Sequence, residues 1–87
     1  MSNEKKNSIL EFIEENYPSE IKTDYEKGCA YACDEIEKLL NEDDAINKVL
    51  DFTKNNRPDF IYTDFEDGCA YVCDEVLEIL DKEGDLL

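Results

Sequence analysis

Residues 21–40 are IKTDYEKGCAYACDEIEKLL and residues 61–80 are IYTDFEDGCAYVCDEVLEIL, so the two stretches match at a shift of 40 residues. The match continues more weakly towards the N-terminus, where Phe12 corresponds to Phe52. Each unit is therefore predicted to contain two structural elements. Solenoid repeats usually need three or more copies to bury a continuous face, so two copies favour closure about a pseudo-twofold axis.

Helix start and stop signals place four helices. Three segments have the pattern of a capping box, in which a hydroxyl and a carboxylate bond the free amides of a helix start. These boxes are Ser8 to Glu11, Thr23 to Glu26 and Thr63 to Glu66. A further helix is predicted to begin near Asp43 or Asp44, and Pro18 and Pro58 end the two shorter helices. We expect helices over about 9–16, 24–41, 44–55 and 64–82.

The length of 87 residues fits a single domain. We expect an all-α, four-helix domain over residues 1–87, made of two tandem helix-loop-helix repeats related by a pseudo-twofold axis. Repeat 1 is predicted over about 8–41 and repeat 2 over about 44–82. Residues 1–7 and 83–87 are expected to be frayed tails.

Each longer helix carries an apolar stripe at a spacing of about 3.6 residues. The stripes are expected to build the core and consist of Tyr25, Cys29, Ala32, Cys33, Ile36 and Leu40, and of Phe65, Cys69, Val72, Cys73, Val76 and Leu80. Gly28 and Gly68 lie at the stripe edges, where glycine costs about 0.5–1 kcal/mol relative to alanine. Close approach of the two long helices would offset that cost; the alternative is a glycine retained from a loop-like first turn.

Charge restricts the classes of partner. The chain has 24 acidic and 9 basic residues, a formal charge of −15. Nucleic acids and anionic membranes are excluded as direct partners because their binding depends on clusters of lysine and arginine. No stretch is apolar enough to span a bilayer, and the N-terminal residues lack the apolar core of a secretion signal. A cytoplasmic protein with a basic protein partner is predicted.

Two tyrosines mark the predicted binding face. Tyr31 and Tyr71 lie opposite the apolar stripes on a helical projection, each among carboxylates. Tyrosine is enriched in interface hot spots, and carboxylates steer cationic partners. The predicted partner-binding residues are Tyr71, Asp64, Asp67, Asp74, Glu75 and Glu78 in repeat 2, and Tyr31, Asp34 and Glu35 in repeat 1. Repeat 2 is favoured because Asp67 and Glu78 stand where repeat 1 has Lys27 and Lys38. Alternatively, each tyrosine packs under a neighbouring short helix, and the carboxylates form an ordinary solvated face.

The cysteines form two CX3C motifs. In this spacing the chain resembles small mitochondrial intermembrane-space chaperones, whose paired motifs are stapled across a helical hairpin. The 35 residues between Cys33 and Cys69 are too long a link for that hairpin. A tetrahedral zinc site is a second alternative. Packing as small apolar side chains is favoured over a metal site or disulfides, because all four cysteines fall on the stripes. The candidate zinc ligands are Cys29, Cys33, Cys69 and Cys73.

No catalytic pattern is present. The chain contains no histidine, and its three glycines do not form a phosphate-binding loop. We therefore expect neither enzymatic activity nor a cofactor.

These observations favour an acidic inhibitor of a basic, nucleic-acid-handling protein, with carboxylates standing where phosphates would lie. In size and charge the chain resembles small helical nuclease-immunity proteins. Two versions stay open: an immunity protein against a nuclease toxin, and a phage-type inhibitor of a nucleic-acid-targeting defence complex. The alternative is a non-catalytic adaptor or regulatory module that binds a protein through an apolar groove. Either would be a monomer or a homodimer.

Overall fold

The computed structural model describes residues 2–57 and 60–82. It contains the helices α1 (Ser2–Asn16), α2 (Asp24–Leu40), α3 (Ala45–Asn55) and α4 (Asp64–Lys82). The described residues form no strand. The all-α prediction with four helices is therefore confirmed. None of the helices in this part of the chain combines the length and apolarity that a bilayer crossing requires.

Capping boxes begin the two long helices, as predicted. The Thr23 hydroxyl accepts a hydrogen bond from the Glu26 amide, and the Glu26 carboxylate accepts one from the Thr23 amide. Thr63 and Glu66 form the same pair, with N···O distances of 3.1 and 3.0 Å. Each pair satisfies amide donors that the first helical turn leaves without an intrahelical partner.

The start of α1 was predicted wrongly. The helix begins at Ser2, so the box expected from Ser8 lies inside it, and residues 2–7, expected to be a frayed tail, form the first part of α1. Lys5 explains the longer helix: it is only 3% exposed and lies on the same helical face as the buried Ile9 and Ile13. At this exposure the ammonium of Lys5 lies inside the fold together with its stem. Residues 1 and 83–87, also expected to be frayed, lie outside the described residues.

The two long helices cross with their backbones in contact. A Cβ atom added at Gly28 would lie 2.1 Å from the carbonyl oxygen of Phe65. One added at Gly68 would lie 2.1 Å from the carbonyl oxygen of Tyr25. No real Cβ atom fits at such a distance, so both positions require glycine. The predicted close approach is confirmed, and the explanation through a loop-like first turn is wrong.

The core lies between the two stripes, with α1 and α3 packed on them. Five members of each stripe are buried, as predicted: Cys29, Ala32, Cys33, Ile36 and Leu40, and Cys69, Val72, Cys73, Val76 and Leu80. Ile9, Ile13, Val49 and Thr53 of the short helices complete this core.

The aromatic residue that begins each stripe is not a core residue, contrary to the prediction. Tyr25 is 36% exposed and Phe65 is 38% exposed. The backbone contact at the glycines leaves no space for a ring between the long helices. The Phe65 ring instead lies at the rim, 5.7 Å from the ring of Tyr31.

We expect Gly28→Ala and Gly68→Ala each to lower the free energy of unfolding by about 1–3 kcal/mol, because the added methyl group must push two backbones apart. Alanine would otherwise stabilise a helix interior by about 0.5–1 kcal/mol relative to glycine. Urea denaturation followed by circular dichroism measures the change. Glu37→Ala, at an exposed position of α2, is the control and should stay within about 0.5 kcal/mol of wild type. Glycine variants as stable as wild type would contradict the close crossing.

Candidate functional site

The outward side of α4 carries one tyrosine among carboxylates. We call this surface the α4 face and define it as Asp64, Asp67, Tyr71, Asp74, Glu75 and Glu78. Tyr71 is 39% exposed. The carboxylates are exposed except for Glu75, which is half-buried. All six predicted residues of repeat 2 are therefore present on one accessible side of a single helix.

The matching side of α2 is nearly neutral. We call it the α2 face and define it as Asp24, Lys27, Tyr31, Asp34, Glu35 and Lys38. Lys27 lies 3.7 Å from a carboxylate oxygen of Asp24, and Lys38 lies 3.0 Å from one of Glu35. The hydrogen bond to Glu35 also raises the pKa of the Lys38 ammonium. With three carboxylates and two lysines this face has a net charge of −1, against −5 for the five carboxylates of the α4 face.

Both tyrosines are packed along one edge and open to solvent along the other. The Tyr31 ring lies 6.4 Å from the ring of Phe52 in α3, and the Tyr71 ring lies 6.4 Å from Phe12 in α1. The Tyr71 hydroxyl also donates a hydrogen bond of 3.5 Å to Asn16. Each tyrosine does pack against a short helix, as the alternative interpretation held. Exposures of 42% for Tyr31 and 39% for Tyr71 nevertheless leave both available for contact.

One cation beside the α4 face was missed by the sequence reasoning, and counting it makes the net charge there −4 instead of −5. Arg57 forms an ion pair with Asp74, and both side chains are half-exposed. At the positions 40 residues earlier, the Tyr17 hydroxyl donates a hydrogen bond of 3.2 Å to Asp34. Desolvation and this hydrogen bond raise the pKa of the Tyr17 phenol. Arg57 and Tyr17 are 40 residues apart, as are Asp74 and Asp34, so the two contacts correspond to each other. The repeat alone did not predict the pair of Arg57 with Asp74, because that pair depends on how the loop after α3 folds back onto α4.

An apolar surface was also missed. Phe60, Ile61 and Tyr62, in the loop before α4, are exposed to 68%, 53% and 81%. Three consecutive exposed apolar residues were a signal available in the sequence, but the predicted site started only at Asp64.

A groove of about 480 Å³ lies between α3 and α4. Its lining includes Leu50 and Leu77, but the other five lining residues are charged: Lys54, Arg57, Asp74, Glu78 and Asp81. This groove is therefore of mixed charge rather than the apolar groove that the adaptor alternative expects.

The four cysteines are free thiols buried in the core. Burial raises the pKa of the Cys33 thiol to about 12. The hydrogen bond with Cys69, together with burial, raises the pKa of Cys73. Within the described residues no group of three or more cysteine or carboxylate side chains is arranged to hold a metal ion, so the zinc alternative gains no support. The thiols act as apolar packing groups.

Comparisons of the chain with protein-family profiles, with curated proteins and with solved structures found no match. Its function is therefore inferred from the geometry and charge of its own residues.

The buried thiols predict how stability depends on pH. Below about pH 9 the Cys33 thiol is protonated in both the folded and the unfolded chain, so it adds no pH dependence. Between pH 9 and about 12 the unfolded chain loses this proton and the folded chain keeps it, so the free energy of unfolding falls as pH rises. We expect Cys33→Ala to be less stable at pH 7 but to lose less stability over that window. Urea denaturation at several pH values measures both effects; an unchanged slope would contradict the assignment.

Proposed function

We propose that this protein is an acidic inhibitor that binds a basic, nucleic-acid-handling protein by charge complementarity. The target would be a nuclease toxin, with this chain as the immunity protein, or a nucleic-acid-targeting defence complex, with this chain as a phage-type inhibitor. The binding residues would be those of the α4 face, with a secondary contribution from Tyr31, Asp34 and Glu35. The proposal includes no catalysis, no cofactor and no direct contact with nucleic acid or membrane.

The charge difference between the two faces carries this proposal. Positions that hold Lys27 and Lys38 on the α2 face hold Asp67 and Glu78 on the α4 face. The two lysines make local ion pairs on the α2 face, whereas Asp67 follows Asp64 by three residues on the α4 face and the two carboxylates repel each other. The dipole of α4 offsets part of this repulsion in the first turn of the helix. A cationic partner would relieve this repulsion on binding.

The geometry of a helix suits the imitation of a nucleic-acid backbone. The α4 carboxylates are held on a helix whose inner side is buried in the core, so little backbone entropy is lost when they bind. Tyr71 at the middle of the face adds a partly ordered ring that can supply contact area at low entropic cost. Carboxylates would give rapid association, and the tyrosine would slow dissociation.

We also propose that residues 8–41 and 44–82 are tandem helix-loop-helix repeats related by a pseudo-twofold axis. Reciprocal contacts support this. The Gly28 position approaches Phe65 as closely as the Gly68 position approaches Tyr25. The ring contacts between the repeats are also reciprocal. Tyr31 of repeat 1 contacts Phe52 of repeat 2, and Tyr71 of repeat 2 contacts Phe12 of repeat 1, with ring centroids 6.4 Å apart in both pairs. The α2 face would then be the counterpart of the α4 face.

Reduced thiols support a cytoplasmic site of action for this inhibitor. All four cysteines are free, and thiols persist in compartments that keep glutathione reduced.

Identification of the partner is the decisive experiment. The protein would be immobilised and used to capture partners from the source cell and from competing cells, followed by mass spectrometry. We expect a basic nuclease or defence-complex subunit whose association rate falls steeply as salt rises. An acidic or uncharged partner with little salt dependence would contradict the inhibitor proposal and favour the adaptor alternative.

Exchanging charges between the faces tests the site. The double substitution D67K/E78K gives the α4 face the lysines that the α2 face carries. With the captured partner we expect the association rate constant to fall by about 10- to 100-fold at low salt, because electrostatic steering is lost. The difference should shrink as added salt screens the charges. Stopped-flow or surface-plasmon-resonance kinetics measure the rates.

The matched control for this exchange is E11K/E14K on exposed positions of α1, which changes the net charge by the same amount. We expect the control to lose much less association rate than D67K/E78K. Equal losses would mean that overall charge rather than the α4 face attracts the partner.

Tyr71→Ala and Tyr31→Ala form a second matched pair. Each removes a ring that contacts a phenylalanine of α1 or α3, and Tyr31 also contacts Phe65, so we expect Tyr31→Ala to lose at least as much stability as Tyr71→Ala. Only Tyr71→Ala should weaken partner binding strongly, by about tenfold or more, as expected of an interface hot spot. Isothermal titration calorimetry with both folded variants measures the difference; equal affinities would remove Tyr71 from the site.

A further inference from the structure

The loop before α4 presents apolar side chains to solvent. Phe60, Ile61 and Tyr62 are exposed to 68%, 53% and 81%. The rings of Phe60 and Tyr62 lie 6.1 Å apart and form a small aromatic pair. We call these three residues the aromatic loop. Contiguous exposed apolar surface of this kind marks a contact site in many folded proteins.

The corresponding loop before α2 provides an internal comparison. Its matching residues are Glu20, Ile21 and Lys22, and Glu20 pairs with Lys22 at 2.9 Å. An aromatic pair in one loop therefore stands where the other loop has an ion pair. Only the isoleucine is common to both.

The backbone of the two loops is anchored in the same way. Glu26 accepts hydrogen bonds from the amides of Lys22 and Thr23 at 2.8 and 2.9 Å. Glu66 accepts the matching pair from the amides of Tyr62 and Thr63, both at 3.0 Å. Since the charged version supports the same anchor, the fold does not require phenylalanine and tyrosine in the aromatic loop. Their exposure to water is unfavourable and opposes solubility.

The charges beside the aromatic loop select the kind of partner. Asp64 and Asp67 follow it in the first turn of α4 and are exposed. A lipid surface rich in anionic headgroups would be repelled by these acids, as would a second copy of a chain that carries −15. A protein surface in which lysine or arginine borders apolar side chains complements both the rings and the acids.

We propose that the aromatic loop is the apolar anchor of the docking surface, and that its occupant is a patch of apolar side chains bordered by lysine or arginine on a basic protein. This inference rests on the proposed function and extends its site beyond Asp64. The acids of α4 set the rate of association, and burial of Phe60 and Tyr62 sets the rate of dissociation.

The chain itself supplies the substitution that tests this anchor. F60E/Y62K gives the aromatic loop the Glu-Ile-Lys sequence of residues 20–22 and leaves the net charge at −15. The reverse exchange, E20F/K22Y in the first loop, is the matched control. Tyr62→Ser, at the most exposed of the three positions, is a milder second variant. Circular dichroism and urea denaturation should show all three variants folded like wild type.

Three synthetic helical peptides serve as defined probes. One combines lysine with leucine on neighbouring faces, the second has the same lysines with glutamine replacing leucine, and the third has glutamate with leucine. Binding is measured by fluorescence anisotropy at about 0.15 M salt. We expect the lysine–leucine peptide to bind wild type about tenfold or more tightly than the lysine–glutamine peptide. F60E/Y62K should remove that preference, Tyr62→Ser should reduce it, and E20F/K22Y should retain it.

Several results would overturn the inference. Equal binding of the lysine–leucine peptide to wild type and F60E/Y62K would show that the aromatic loop is not part of the docking surface. If D67K/E78K then bound this peptide more weakly than wild type, the proposed function would still stand. Tight binding of the glutamate–leucine peptide would show that charge does not select the partner. Conversion of a dimer to a monomer by F60E/Y62K, measured by light scattering, would assign the loop to a second copy. Binding of wild type to anionic lipid vesicles would assign it to a membrane.

Discussion

The contact between the backbones of α2 and α4 at Gly28 and Gly68 sets the rest of the structure. At each glycine a side chain would overlap a carbonyl oxygen of the other helix, so the two long helices meet at a fixed place and separation. This fixes which sides of the helices face each other and which face outward. The tyrosine-bearing faces point away from the crossing because the glycines and the stripe residues point into it.

The cysteines follow from the same constraint. Helices that approach this closely can accommodate only small side chains near the crossing, and cysteine and alanine occupy those places. The thiol of Cys29 lies 3.5 Å from the carbonyl oxygen of Gly68, to which it donates a hydrogen bond. Residues that are four apart lie on the same face of a helix in successive turns. The CX3C pattern therefore places one small side chain at the crossing in each of two turns. Burial and the raised pKa of Cys33 fit a packing role and not a nucleophilic one.

The sequence predicted what depends on local chemistry and failed where distant segments decide. Thr23 and Glu26 are three residues apart, so their capping box was visible without the fold. Ser8 has the same local pattern but lies within α1, because burial of Lys5 against the core extends the helix beyond it. The exposure of Tyr25 depends on the backbone of the other long helix, which helical spacing alone does not describe. The pairing of Arg57 with Asp74 could likewise not be predicted, because it depends on the path of the loop between α3 and α4.

The comparison of positions 40 residues apart separates what the fold requires from what it tolerates. The glycines, cysteines and capping residues are the same in both stretches and each has a packing or hydrogen-bonding reason. Among the differences, two lysines of α2 are matched by acids of α4, and an ion pair before α2 is matched by two exposed aromatic residues before α4. The exchanges at positions 20, 22 and 27 replace two exposed ion pairs by an exposed aromatic pair and by a further acid beside Asp64, and neither exchange adds a side chain to the core. The partner that we propose would account for both changes, because it would offer cations to the acids of α4 and an apolar patch to the rings of the loop before it.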